Sequence, residues 1–302
     1  MPLDVVVPAS SANLGPGFDC LGLSVGIELR VRATPADHDS FVYRGDGQVS
    51  DGTDNLIHRG FHAAVAANRH PATTVRLEAQ NPVPLARGLG SSSAALVAGA
   101  LLGDAVAGGG LGLDGVFQLT ADIEGHPDNV APALFGGLTV SAHENSRWMT
   151  RVLPWPPSWR LLFGVPAFEV RTEVARAVLP NEVARADAVA TASRVAFWPL
   201  AVLRDEPELL RCASFDVIHE PYRRHLLPGF ADAQKALRSA GAWAAYLSGA
   251  GPTLGVVCSA ERLDACKAIL RRYAGSEGQV LEPPIGRGSR LNGRFAASPA
   301  AR

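Results

Sequence analysis

Lysine is nearly absent from this 302-residue chain: Lys235 and Lys267 are the only two among 28 basic residues. Any phosphate or carboxylate it binds must therefore be met by arginine, backbone amides, hydroxyls or a metal ion. No lysine follows the glycine-rich segment at 88–90, which excludes a Walker A loop there. Cysteine is scarce too. Cys20, Cys212, Cys258 and Cys266 are scattered without a C-x-x-C pair. That spacing argues against a structural zinc site and fits reduced thiols in a cytoplasmic protein. Excess charge of either sign is missing: 28 basic residues stand against 29 acidic ones, for a net charge of -1. No global positive field points to nucleic acid or to an anionic membrane. No uncharged apolar run reaches the roughly 18 residues of a membrane span. The stretch from Met1 to Val7 lacks the basic and apolar regions of a signal peptide.

What is present is a 47% hydrophobic chain, enough for one large domain or two ordinary ones. Strands are expected at Val5–Val7, Val25–Thr34, Phe41–Tyr43 and Thr73–Ala79, with a long functional loop over Pro8–Asp19. Helices are expected at Leu56–Ala67, capped by Asp54 or Asn55, and at Leu113–Glu124. After them, Ala133–Ala142 reads as a Gly-Gly turn and a strand. Pro154-Trp155-Pro156-Pro157 is the best linker, dividing the chain into units 1–155 and 156–302, the second ending in a basic tail from about 286. The second unit reads as a strand at 160–166, helices at 172–178, 184–203, 228–239 and 261–273, and strands around Trp243–Gly255 and 278–281. Strands and helices mix without a βαβ rhythm, which favours two α+β domains.

One segment stands out chemically: Pro84-Leu85-Ala86-Arg87-Gly88-Leu89-Gly90-Ser91-Ser92-Ser93-Ala94 leads from flexible backbone through three hydroxyls into an Ala/Leu/Val helix. Its amides and helix dipole suit the β- and γ-phosphates of ATP, and a serine hydroxyl can reach Mg²⁺; the alternative is a close backbone approach with serines capping an ordinary helix. Arg87 either assists the phosphates or faces solvent. Glu124 ends a helix before a Gly-His-Pro turn and is either a Mg²⁺ ligand or a surface acid. His126 reads as a hydrogen-bonding anchor more than as a base. Asn13, Asp19 and Asn129 lie in apolar, glycine-rich company; they serve substrate groups or satisfy their own loops through Asx turns, and Asp19, if positioned for it, would deprotonate an alcohol. Arg176, one turn beyond Thr172, and Arg223 form either a two-fork carboxylate clamp or surface ion pairs.

Together, Pro8–Asp19, Pro84–Ala95 and Leu247-Ser248-Gly249-Ala250-Gly251-Pro252-Thr253 resemble the three motifs of the GHMP kinase superfamily. Asn13 with Phe18-Asp19, Glu124-Gly125-His126-Pro127-Asp128-Asn129 and Glu220-Pro221-Tyr222-Arg223 resemble its homoserine kinase branch. The resemblance covers nearly the whole chain. It implies an α+β fold of two domains, a ribosomal S5 domain 2-like N-terminal domain and a ferredoxin-like C-terminal domain, with ATP and Mg²⁺ between them. By motif, Ser92 and Glu124 would bind Mg²⁺, with Ser91 or Ser93 as alternatives within the triplet. Asn13, Asp19 and Asn129 would hold the amino and hydroxyl end of L-homoserine, and Arg176 and Arg223 its carboxylate. Thr172 would face the transferring phosphoryl group, and Asn55 would lie near the adenine. Mevalonate-type relatives often use an Asp–Lys base; both lysines here fall in predicted second-domain helices, so in-line attack without a strong base is expected. Glu124 and Asn129 are only five apart, closer than in some relatives. A homodimer is the default expectation. The alternatives are a kinase of this superfamily for another small alcohol and a non-catalytic nucleotide-binding protein.

Overall fold

The structure, a computed structural model, describes residues 1–52 and 54–296. The chain opens with β1 (Leu3–Asn13), β2 (Gly17–Pro35) and β3 (Ser40–Gly45), then α1 (Leu56–Ala67), β4 (Val75–Asn81), α2 (Ser91–Val106), α3 (Gly112–Glu124) and α4 (Val130–Phe135). A hairpin of β5 (Leu138–Glu144) and β6 (Arg147–Leu153) completes this part. Beyond the Pro154–Pro157 linker come β7 (Arg160–Val165), α5 (Thr172–Ala177), α6 (Arg185–Arg204), α7 (Leu210–Ala213), α8 (Glu220–Arg223), α9 (Phe230–Ser239), β8 (Ala244–Leu247), β9 (Leu254–Cys258), α10 (Leu263–Ala274), β10 (Gln279–Leu281), β11 (Arg290–Leu291) and β12 (Arg294–Phe295).

The first sheet runs β12-β11-β1-β2-β4-β3, with β5 also on β2 and β6 on β5. In β4 the alternation Val75, Leu77, Ala79 inward and Arg76, Gln80 outward fixes which face meets the helices. Those inward residues join Leu29 and Val31 of β2, Phe61 of α1, Leu102 of α2 and Phe117 of α3 in one core. Helices α1 and α2 touch backbone to backbone: a Cβ on Gly99 would sit 2.0 Å from the Ile57 carbonyl oxygen. Glycine is therefore required there by close approach, at the cost of helix propensity.

The second sheet is antiparallel, β10-β7-β9-β8. Its central strands are apolar on both faces because both are covered. Leu162, Leu247 and Val256 pack on Phe230 of α9 and Leu270 of α10. Leu161, Phe163 and Tyr246 pack with Trp198 of α6 and with Leu21 and Leu23 of β2, so one core joins the two domains. Helix α6 has the length and composition to cross a bilayer, but its C-terminal half is docked here through Trp198, Ala201 and Val202.

Two expectations are corrected. Pro8–Asn13 is not a loop: β1 continues through it to Asn13, and only residues 14–16 turn into β2. Its Ala and Ser residues are buried and small because this strand end is pressed between the domains. The basic tail does not stay with the second domain. Val5 and Val6 of β1 pair with Leu291 and Arg290 of β11, which covers an otherwise open sheet edge. The last six residues of that tail lie outside the described residues.

Candidate active site

A cleft of about 440 Å³ lies where the domains meet, bordered by the end of β1, the segment before α2, the C-terminus of α3 and the N-terminus of α5. Gly90 precedes α2 with φ +65°, and a Cβ there would lie 2.0 Å from Ser10 Oγ and 2.9 Å from Asn129 Oδ1. Only glycine fits, and it aims the first turn of α2 at the cleft with no side-chain cap. The amides of Ser91, Ser92 and Ser93 open the helix and have no intrahelical acceptor, while Ala94 N already donates to the Gly90 carbonyl. A helix start of this kind suits an anion by geometry and by dipole.

Glu124 reaches the same spot from the end of α3. Its Oε1 accepts 2.7 Å from the buried Ser93 Oγ and 3.3 Å from Ser92 Oγ. Ser92 borders the cleft and Ser93 does not. A carboxylate and a hydroxyl at a helix N-terminus make a hard oxygen pair that suits Mg²⁺.

Asp19 and Asn13 both hold left-handed backbone, at φ +55° and +72°. Asn13 Oδ1 accepts the Asp19 amide at 3.2 Å, and its Nδ2 donates to the Gly249 carbonyl at 3.1 Å. Asp19 receives a two-pronged bond from Arg176, at 2.6 and 3.1 Å. Burial pushes the Arg176 pKa down, and the Asp19 bond and charge more than reverse this, leaving it raised. Arg223 is 2% exposed. Burial first, then Arg176, pushes its pKa down to about 10. Both guanidinium groups lie over the Phe18 ring, at 5.2 and 5.4 Å. Asn129 accepts from Ser10 Oγ through Oδ1, and Thr172 borders the cleft as the first residue of α5. His126 Nδ1 lies 2.6 Å from Asp128 Oδ1; burial lowers the imidazole pKa, but Asp128 outweighs it and the pKa is raised.

The structure thus brings Asn13, Asp19, Asn129, Glu124, Thr172, Arg176 and Arg223 to one cleft with Asn55 and residues 84–92. Three roles change in detail. Arg87 points neither to the phosphate position nor to solvent: it donates to the carbonyls of Leu85, Pro166 and Ala167 and to Glu169, tying its loop to the second domain. The Asn55 side chain is spent on α1, accepting from the Ile57 and His58 amides. Ser93 and Ala94 do not border the cleft. Sequence reasoning gave no role to Phe18, Asp128 or His219. Phe18 was visible as a lone aromatic among small residues, while the other two signal only through tertiary partners. Tyr43, on the cleft wall, accepts from Asn81 Nδ2, which also donates to Ser91 Oγ.

Comparison with known proteins adds independent findings. The family description "GHMP kinases N terminal domain" matches residues 55–137, and "GHMP kinases C terminal" matches 199–275. Homoserine kinase from Thermus thermophilus is 46% identical over 282 residues, covering 93% of this chain and 96% of that one. Homoserine kinase from Moorella thermoacetica is 40% identical, covering 91% and 93%. The crystal structure of homoserine kinase from Cytophaga hutchinsonii superposes with a TM-score of 0.85 at 26% identity, covering 96% and 97%. Mevalonate diphosphate decarboxylase from Enterococcus faecalis shares the fold at a TM-score of 0.70 and 19% identity, covering 96% and 98%.

Proposed function

The chain belongs to the homoserine kinase family of GHMP kinases, and from that premise we propose how its own residues carry ATP-dependent phosphoryl transfer to the side-chain hydroxyl of L-homoserine. The observation that carries the assignment of roles is one cleft bordered both by the uncapped start of α2 and by the Arg176–Arg223 pair. The first binds anions without lysine; the second recognises a carboxylate.

The amides of Ser91 and Ser92 hold the triphosphate tail, and the wall carrying Tyr43 and Asn55 lies beside the base. Ser92 and Glu124 would hold Mg²⁺, with Ser93 fixing the Glu124 carboxylate. When bound there, the ion would supply charge neutralisation to the triphosphate. Arg176 and Arg223 take the homoserine carboxylate. Asp19 accepts from its ammonium, and Asn13 holds Asp19 in place through the backbone. Asn129 has Oδ1 occupied by Ser10 and offers Nδ2 toward the substrate hydroxyl. Thr172 donates to the moving phosphoryl oxygens.

No strong base is needed in this arrangement. Asp19 already accepts both prongs of the Arg176 guanidinium. Both lysines sit away from the cleft, in α9 and α10. The hydroxyl attacks in line because its chain is fixed at both ends, and its proton leaves on the transferred phosphoryl oxygens. ADP release with Mg-ATP and L-homoserine tests the whole reading. Arg176→Ala and Arg223→Ala are expected to raise the homoserine KM by about 10- to 100-fold while the ATP KM stays near wild type. Wild-type kinetics in both variants would end the carboxylate assignment.

A further inference from the structure

His219 precedes α8 and is completely buried. Its Nε2 lies 2.7 Å from the Gly15 carbonyl oxygen, an acceptor only, so this nitrogen carries the proton. Nδ1 is then left with a free lone pair, and Arg223 Nη1 donates to it at 3.2 Å. Arg223 Nη1 also donates to the Gly249 carbonyl at 3.1 Å, and Nε to the Ala175 carbonyl at 3.0 Å. Three fixed acceptors therefore set the plane of the guanidinium. They engage Nε and Nη1 and leave Nη2 as the edge for a ligand. Phe18 closes the other side, its ring centroid 5.3 Å from that of His219.

We propose that His219 is a positioning residue for substrate recognition: its imidazole joins the turn between Asn13 and Asp19 to the Arg223 fork, so the groups for the ammonium and carboxylate are held at a fixed separation. This rests on the reading of Arg223 as a carboxylate ligand. The neutral ring is essential, since a protonated Nδ1 would face the guanidinium as a second donor. Burial pushes the His219 pKa down to about 4, against the opposing pull of Asp216. Asp216 is itself occupied: its oxygens accept from the amides of Ile218, His219 and Glu220, and it stands 3.8 Å from Nε2, too far to take that proton.

Two substitutions divide the two nitrogens. His219→Gln keeps a donor for Gly15 and loses the acceptor for Arg223; His219→Asn places its oxygen near Nδ1 and loses the Gly15 bond. His219→Gln is expected to raise the homoserine KM about tenfold while leaving the ATP KM within about a factor of two. His219→Asn cuts the other half of the same link, so it should raise the homoserine KM comparably and likewise spare the ATP KM. In an Arg223→Ala background, His219→Gln should add nothing, because the group it acts through is gone. An unchanged homoserine KM in either variant, or the same loss with and without Arg223, would each overturn the proposal. An unchanged homoserine KM in Arg223→Ala would instead overturn the reading beneath it. Should the variants fail to fold, ¹⁵N signals of His219 in the intact enzyme decide: the Nε2–H tautomer must persist through the neutral pH range, and an Nδ1–H tautomer would end the proposal.

Discussion

Glu124 is one of 29 acidic residues, and apart from the motif it opens, its chain neighbourhood shows only a helix end. Its distinction is tertiary: two serine hydroxyls from another helix converge on one of its oxygens. Glu124→Gln keeps that acceptor oxygen and removes the charge, so the fold should survive. We expect kcat to fall by about 10²- to 10³-fold with a smaller change in the homoserine KM, measured by steady-state ADP release. Ser93→Ala leaves only the longer Ser92 bond to steady the carboxylate, and kcat should fall by roughly tenfold, with more Mg²⁺ needed for half-maximal rate. A Glu124→Gln enzyme of wild-type kcat would remove the carboxylate from the machinery. At this scale residue types were legible and partners were not. Arg87 could be seen as a cation beside a phosphate loop, but a long guanidinium takes whichever acceptors the fold delivers. Here those include the carbonyls just after β7, about 80 positions away in the chain. Arg176 and Asp19, 157 apart, could each be singled out, yet their pairing only appears when the domains close.

Among the elements, the long amphipathic ones were legible because their burial follows their period. Helices α1, α9 and α10 and strand β4 fall within two or three residues of expectation. Elements defined by contact with the other domain were not. Ala9, Ser10, Ser11 and Ala12 have the composition of a loop, but all four are buried in a strand whose Ser11 meets Tyr246 and Ser248 of the second domain. Helix α4, with Pro132 inside six residues, carries too little period to be read. Helix α8 is shorter still, and it makes a pH prediction. Glu220 within it is fully buried, and burial pushes its carboxyl up to about 7. In the unfolded chain the same group titrates near 4.5. Between those values the folded state keeps a proton that the unfolded state has released. Stability from this group is therefore fully present below about 4.5 and is lost as pH rises to about 7. The loss is at most about 3 kcal/mol. Glu220→Gln cannot ionise, so urea unfolding at a series of pH values should show the wild type losing stability relative to the variant across that window. His126 titrates in both proteins and cancels from the difference. Parallel stability profiles would mean that Glu220 does not titrate with a raised pKa.

Across the whole molecule, the stitching between the two sheets was not legible in the chain. Nothing in the composition of Gly286–Arg294 says that it returns to pair with β1, since two-residue strands have no period to detect. The third glycine motif likewise reads as weak by itself, because its function lies in what it touches. Ser248 Oγ lies 2.6 Å from the Gly88 carbonyl and 2.7 Å from Ser11 Oγ. Gly249 follows with its amide on the Ala12 carbonyl, and its own carbonyl accepts from both Asn13 and Arg223. One loop between β8 and β9 thus fastens the phosphate segment and the substrate turn at once. Ser248→Ala would leave the Gly88 carbonyl without this donor and cost about 1–3 kcal/mol of stability. It should also act on both ligands together. Alteration of Arg223 is expected to weaken homoserine alone, and alteration of Glu124 to slow turnover. Calorimetric titration of the Ser248→Ala protein should show weaker binding of both nucleotide and homoserine, by similar factors, because the same bonds position both ends of the cleft. If only one affinity moved, the β8–β9 loop would serve that end alone, and the two ends would have to be held in register by the shared core of Leu21, Phe163 and Tyr246 instead.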